Sequence, residues 1–130
     1  RYQTVQAFQD ALREYRSHGE SKALAVSAAE HLARAKSEEN SDEYARARFA
    51  YEEAIRLWAG NAPAIEGLRI ATLAHAQNAL LQENYELGIS LLDRNEPEHR
   101  ALLADLKRRR SARQRLKWFA RLAAATAISP

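Results

Sequence analysis

Between Tyr44 and Trp58 the chain keeps one spacing without a lapse. Tyr44, Ala47, Tyr51, Ala54 and Trp58 follow at intervals of three, four, three and four. A strand would scatter these residues over both faces of a sheet, whereas a 3.6-residue helix gathers them into one stripe. Small residues alternate with large ones along it, so a neighbouring helix can approach closely and interlock. The same spacing appears earlier at Val5, Phe8, Leu12 and Tyr15, and again at Leu24, Ala28, Leu32 and Ala35. It returns at Ile65, Leu68, Thr72, Ala76 and Ala79. With four Gly and three Pro in 130 residues, little interrupts such helices and little is offered for hairpins. The expected fold is all-α.

Turn residues divide these stripes. Gly19 predicts the end of a first helix, because Gly takes the left-handed conformation past a helix terminus. Ser21 then predicts a cap for a second helix through Ala35. The polar stretch "KSEENSDE" separates that helix from the Tyr44 stripe. In "AGNAP", Gly60 predicts a stop, Asn61 a cap, and Pro63 a place in the first turn, where its missing N–H costs little. The next helix is expected over about residues 62–82, followed by a short one carrying Tyr85, Gly88 and Leu92. Asn95 and Glu98 have the spacing of a capping box before the last helix.

Internal similarity near a 34-residue period is the first thing to test in an all-helical chain. "YARARFAYEEAIRLWAGNAPAIEGL" resembles a tetratricopeptide-repeat junction. Tyr44, Ala47, Tyr51 and Ala54 fall on that family's second-helix positions, and Asn61, Ala62, Ala64, Ile65 and Leu68 fit the opening of the next repeat. Tyr85, Gly88 and Leu92 echo Tyr44, Ala47 and Tyr51 at a displacement of 41 residues. Ala59 replaces the family's helix-ending Pro, and Arg69 its first-helix Gly. The resemblance implies antiparallel helix pairs stacked as degenerate tetratricopeptide-like repeats with a concave binding surface. An irregular helical bundle with Ala-rich seams is the plainer alternative.

Most of the chain is also similar to a helical region of bacterial membrane-anchored serine/threonine protein kinases, found between the kinase domain and a transmembrane segment. "RYQTVQAFQDALREYRSHGES" resembles the segment leaving the kinase domain, and "ENYELGISLLDRNEPEHRALL" resembles the stretch ahead of the membrane. The resemblance implies a role in spacing or dimerising the kinase, or in recruiting a protein partner. The chain contains no Met and opens on Arg1, which reads as a piece of a longer protein.

Charge is unevenly distributed. Residues 107–121 hold Lys107, Arg108, Arg109, Arg110, Arg113, Arg115, Lys117 and Arg121 with no acid, leaving 12 basic and 17 acidic residues elsewhere. The tail is therefore +8 and the remainder −5, within a net +3. An acidic body with a basic tail suits a tail that meets an anionic surface. From Lys107 to Arg115 only Ala112 is apolar, so this part of the last helix is expected to project from the core or to fray. Two domains are read accordingly: a tetratricopeptide-like domain over 1–106, and over 107–130 a basic juxtamembrane segment leading into an apolar anchor.

Three readings of the tail compete. A nucleic-acid arm would use the cations on phosphates, but Trp118 and Phe119 sit together at one end and no nucleic-acid module surrounds them. A solvated helix face would be better served by balancing acids. A juxtamembrane segment accounts for both features, with Lys and Arg on the cytoplasmic flank and Trp118 at the headgroup boundary. "LAAATAIS" is too short to cross a bilayer alone. The expected location is the cytoplasmic face of a membrane, with an anionic membrane surface and a second copy or another protein as partners.

Complete catalytic motifs are absent from the sequence. It has no Gly-rich phosphate loop, no His-Arg-Asp loop, no Asp-Phe-Gly and no nucleophile elbow. Without Cys neither disulfides nor thiolate sites exist. Glu96 and His99 form a single Glu-x-x-His pair, and a bundle metal site needs two. Glu66 and Ile70 occupy the places where a carboxylate-clamp repeat would carry Lys and Asn. No cofactor, metal or small-molecule substrate is expected, and the aromatic residues read as core packing.

Overall fold

Two turns built on the same Glu-Asn dipeptide set much of the helix order. The computed structural model describes residues 2–128, with side chains from 4 to 126. It is all-α: α1 Tyr2–Glu38, α2 Ser41–Leu57, α3 Ala62–Leu81, α4 Tyr85–Leu91, a 3-10 turn Pro97–His99, and α5 Arg100–Ile128. Glu39 (φ 51°) and Glu83 (φ 59°) are the only non-glycine residues described with left-handed backbone. Each allows the following Asn to close the preceding helix: Asn40 N–H donates to the Ala35 carbonyl at 3.1 Å, and Asn84 N–H to that of Ala79 at 2.8 Å. This six-residue closure is the Schellman arrangement. The same Asn side chains then cap the next helix, Asn40 accepting from Asp42 and Glu43, and Asn84 from Leu87.

Gly19 does not end α1. The helix runs unbroken through it, no described glycine has a positive φ, and a β-carbon at Gly19 would meet nothing within 4 Å. Ser21 is not a cap either. It is fully buried, donates to the Ala54 carbonyl at 2.6 Å and accepts from Asn61 Nδ2 at 2.9 Å. These long-range bonds favour helical continuation over a local stop at Gly19, whose intrinsic penalty is only about 1 kcal/mol.

The chain forms two compact units, residues 1–75 and 76–130, with the division inside α3. In the first, α2 runs back along α1, since His31 meets Glu43 while Ser21 meets Ala54. Ala28, Leu32, Ala35, Tyr44, Ala47, Tyr51, Ala54, Ala64 and Ala71 form its core, with Leu24 and Leu68 partly buried against it. Alanine dominates, so the helices approach closely. At Gly67 a β-carbon would overlap the Tyr51 ring. The inward stripe of α3 is thus Ala64, Gly67 and Ala71, one residue off the predicted Ile65, Leu68 and Thr72. Ile65 is exposed, because the smaller residues take the closest approach.

In the second unit Tyr85, Gly88, Leu103 and Leu106 are buried, as predicted for Tyr85 and Gly88. A β-carbon on Gly88 would lie 2.7 Å from Leu106, so this glycine permits the α4–α5 contact. Leu92 is only partly buried and caps the end of α4. The capping box is not formed: Glu96 holds the cap position of the 3-10 turn without a side-chain bond, and Asn95 N–H donates to Asp93. α5 passes through residues 106 and 107 without interruption and does not fray there.

Candidate interaction surfaces

Two surfaces gather residues with binding chemistry. The first is α5. Asp105 holds Arg108 at 2.7 Å and Arg109 at 3.4 Å, so the basic run has an acid at its entrance. Those contacts, Arg108 first, keep the Asp105 carboxyl below its ordinary value. Arg113 reaches the α3–α4 turn, donating to the Glu83 carbonyl at 2.8 Å and lying 5.4 Å from the Tyr85 ring centre. The cationic segment therefore remains docked as far as Arg113, where the sequence predicted projection from Lys107.

Beyond Arg113 the continuous helix sorts its residues by face. At 100° per residue, Arg110, Arg113, Lys117 and Arg121 line one stripe, while Ala112, Leu116, Phe119 and Ala123 line another, with Leu122 beside the second and Trp118 between the two, nearer Arg121 than Phe119. Leu116, Trp118, Phe119 and Leu122 are all exposed, and the Trp118 and Phe119 rings meet edge to face at 5.4 Å. Lys107, Arg108 and Arg109 are exposed on earlier turns, and exposed Arg115 falls between Leu122 and Phe119, interrupting the apolar stripe. An amphipathic helix with a basic face has the chemistry of an anionic interface. Among the described residues no helix is long and apolar enough to cross a membrane.

The second surface lies in the 1–75 unit and was not foreseen. Lys22, Ala25, Val26, Ala29, Tyr51, Trp58, Asn61 and Pro63 line an open apolar groove of about 460 Å³. The helical spacing predicts Trp58 in the core. Instead it caps the end of α2 in an extended conformation and is only partly buried. His18 stacks on its ring at 4.2 Å, and Lys22 Nζ lies 5.7 Å from it. Gly60 leaves room beneath, since a β-carbon there would stand 2.8 Å from Trp58 Nε1. Asn61 Oδ1 accepts from Ala64 N–H at 3.2 Å, which fixes the start of α3, as predicted for this cap. Burial raises the Tyr51 hydroxyl above its ordinary value.

No protein-family model, curated protein or solved structure matches this chain.

The remaining polar clusters serve the fold. Buried Glu43 binds His31 Nδ1 at 2.6 Å and Arg46 at 2.6 Å, with Arg34 at 3.5 Å. His31 Nδ1 also lies 2.9 Å from Arg34 Nη2; one nitrogen cannot donate to Glu43 and accept from Arg34, and the carboxylate claims its proton. The His31 bond, then Arg46, holds the Glu43 carboxyl below its ordinary value. His75 is buried with Nε2 3.1 Å from Ser41 Oγ, its ring stacked on Tyr44 at 5.6 Å. Its Nδ1 is buried without a hydrogen-bond partner, and burial, then the charge of Arg48, lowers its pKa. His99 Nδ1 accepts from Asp93 N–H at 3.0 Å, which gives that histidine a role in the turn.

Proposed function

We propose that this chain is a non-catalytic helical interaction and spacer domain of a bacterial serine/threonine protein kinase, set beside the cytoplasmic face of a membrane. The observation that carries the membrane part is that α5 sets a basic stripe beside exposed apolar and aromatic residues, with Arg115 alone interrupting the apolar side. Arg110, Lys117 and Arg121 form a cationic side, and exposed Leu116, Phe119 and Leu122 form an apolar one. Nucleic acid has use for the first face only; an anionic leaflet has use for both. Trp118, also exposed, suits the headgroup boundary.

The kinase assignment rests on the sequence resemblance. The degenerate-repeat reading is supported by the buried Tyr44, Ala47, Tyr51 and Ala54 face of α2. Binding to anionic vesicles, neutral vesicles and duplex DNA at matched salt tests the membrane reading. Anionic vesicles should be preferred, and a double variant K117E/R121E should lose binding steeply, since each cation near the surface contributes about 1 kcal/mol. Preference for DNA at physiological salt would replace this reading with that of a free-standing adaptor for nucleic acid.

A further inference from the structure

The first half of α1 carries an apolar stripe that the described structure leaves uncovered. Val5, Phe8, Leu12 and Tyr15 are all exposed, Phe8 by 65% and Tyr15 by 79%. Their spacing is that of heptad a and d positions, and the same register continues on the same helix through Gly19, Lys22, Val26 and Ala29. The second set drifts round the helix by about 40°, in keeping with a drift of roughly 20° per heptad over two heptads. Lys22, Val26 and Ala29 form one wall of the Trp58 groove.

One helix thus bears a row of large apolar residues followed by a row of small ones beside an apolar groove. We infer that two copies of this chain pair through α1 in antiparallel fashion, the large half of each helix covering the groove half of the other. Matching a positions to d positions, with the full large row laid over the small row, gives a symmetric register: Val5 on Ala29, Phe8 on Val26, Leu12 on the Lys22 stem and Tyr15 on Gly19. Each contact occurs twice, as a two-fold interface requires.

Phe8 of one copy then enters the groove beside Val26, Trp58 and Pro63 of the other. Tyr15 lies over Gly19, around which there is open space where a β-carbon would stand. A parallel pairing would instead set Phe8 against Phe8 and Gly19 against Gly19, leaving both grooves empty. Charge gives an anionic leaflet no net attraction here, since over residues 5–29 Asp10, Glu14 and Glu20 balance Arg13, Arg16 and Lys22. At the centre Arg16 faces its symmetry mate, and Glu20 lies one turn away on the same helix to offset that repulsion.

This names a partner for the interaction domain proposed above, and it rests on that reading only in treating α1 as a contact surface. The test uses the full 130-residue chain. Sedimentation equilibrium should give twice the 14.7 kDa chain mass. Phe8→Glu should weaken dimerisation about tenfold or more with unchanged helix content by circular dichroism, because residue 8 is exposed in the monomer. Since the chain has no Cys, mixed oxidation of Phe8→Cys and Val26→Cys proteins reads the register directly. A Phe8–Val26 cross-link is expected, necessarily between chains, because 18 residues of helix separate these positions by about 27 Å. A monomer at every concentration up to the solubility limit, or a dominant Phe8–Phe8 cross-link, would overturn the proposal. Vesicle binding through α5 is read separately, so either proposal can fail without the other.

Discussion

The Tyr51 ring lies so close to Gly67 that a β-carbon on Gly67 would overlap ring atoms Cε1 and Cζ. This contact brings α2 and α3 together in the first unit, and only glycine permits it.

Gly19→Ala should therefore stabilise the fold where Gly67→Ala does not. Both gain about 1 kcal/mol of helix propensity, but overpacking against Tyr51 costs about 1–3 kcal/mol, making Gly67→Ala destabilising or at best neutral. Gly19→Ala meets no atom within 4 Å and should stabilise by about 0.5–1 kcal/mol. Urea denaturation of each substitution in the Phe8→Glu background, where α1 pairing is removed, compares them on the monomer.

Ser21→Ala should destabilise by about 1–3 kcal/mol. It removes a buried hydroxyl that bonds both the Ala54 carbonyl and Asn61 Nδ2. The carbonyl keeps the Trp58 N–H at 3.0 Å, so the penalty falls mainly on the buried Asn61 amide. Asn61→Ala removes the α3 cap as well, and the double variant should cost less than the sum of the two because they share one bond.

Acid should destabilise the fold in two stages. The native His75 pKa lies below its ordinary 6.5, so its contribution is fully present above pH 6.5. It is lost as pH falls from there through the native value, because the unfolded chain takes up the proton first. Glu43 behaves likewise from its ordinary 4.5 downward: its stabilisation is present above that pH and lost through the lower native pKa. Denaturation midpoints measured from pH 8 to pH 3 should fall in both windows. His75→Gln should flatten the first and Glu43→Gln the second.

Much of this could be read in the sequence where one local signal acted alone. The Tyr44–Ala54 stripe, the Asn61 cap with Pro63, and the Tyr85–Gly88 face are set by spacing and by side chains within a turn of one another. The failures fall where distant residues decide. Gly19 carried a stop signal that the buried bonds of Ser21 overrode, and Ile65 lost its inward place because the Tyr51 ring takes up Gly67, which turns Ala64 on the same face inward. Glu39 and Glu83 carry no left-handed preference of their own. Their signal was the shared Glu-Asn dipeptide, with Asn able to close one helix and cap the next. The groove went unseen because its lining comes from α1, the end of α2 and the start of α3. The dual character of α5 emerged only once the helix was known to be continuous.

The central claim is that α5 brings Trp118 to an anionic membrane surface. The chain has two tryptophans, so a Trp58→Phe protein reports from Trp118 alone. Its emission should shift to the blue on titration with anionic vesicles at physiological salt and stay unchanged with neutral vesicles. Unchanged emission with saturating anionic vesicles, or a larger response to duplex DNA at the same salt, would contradict the account.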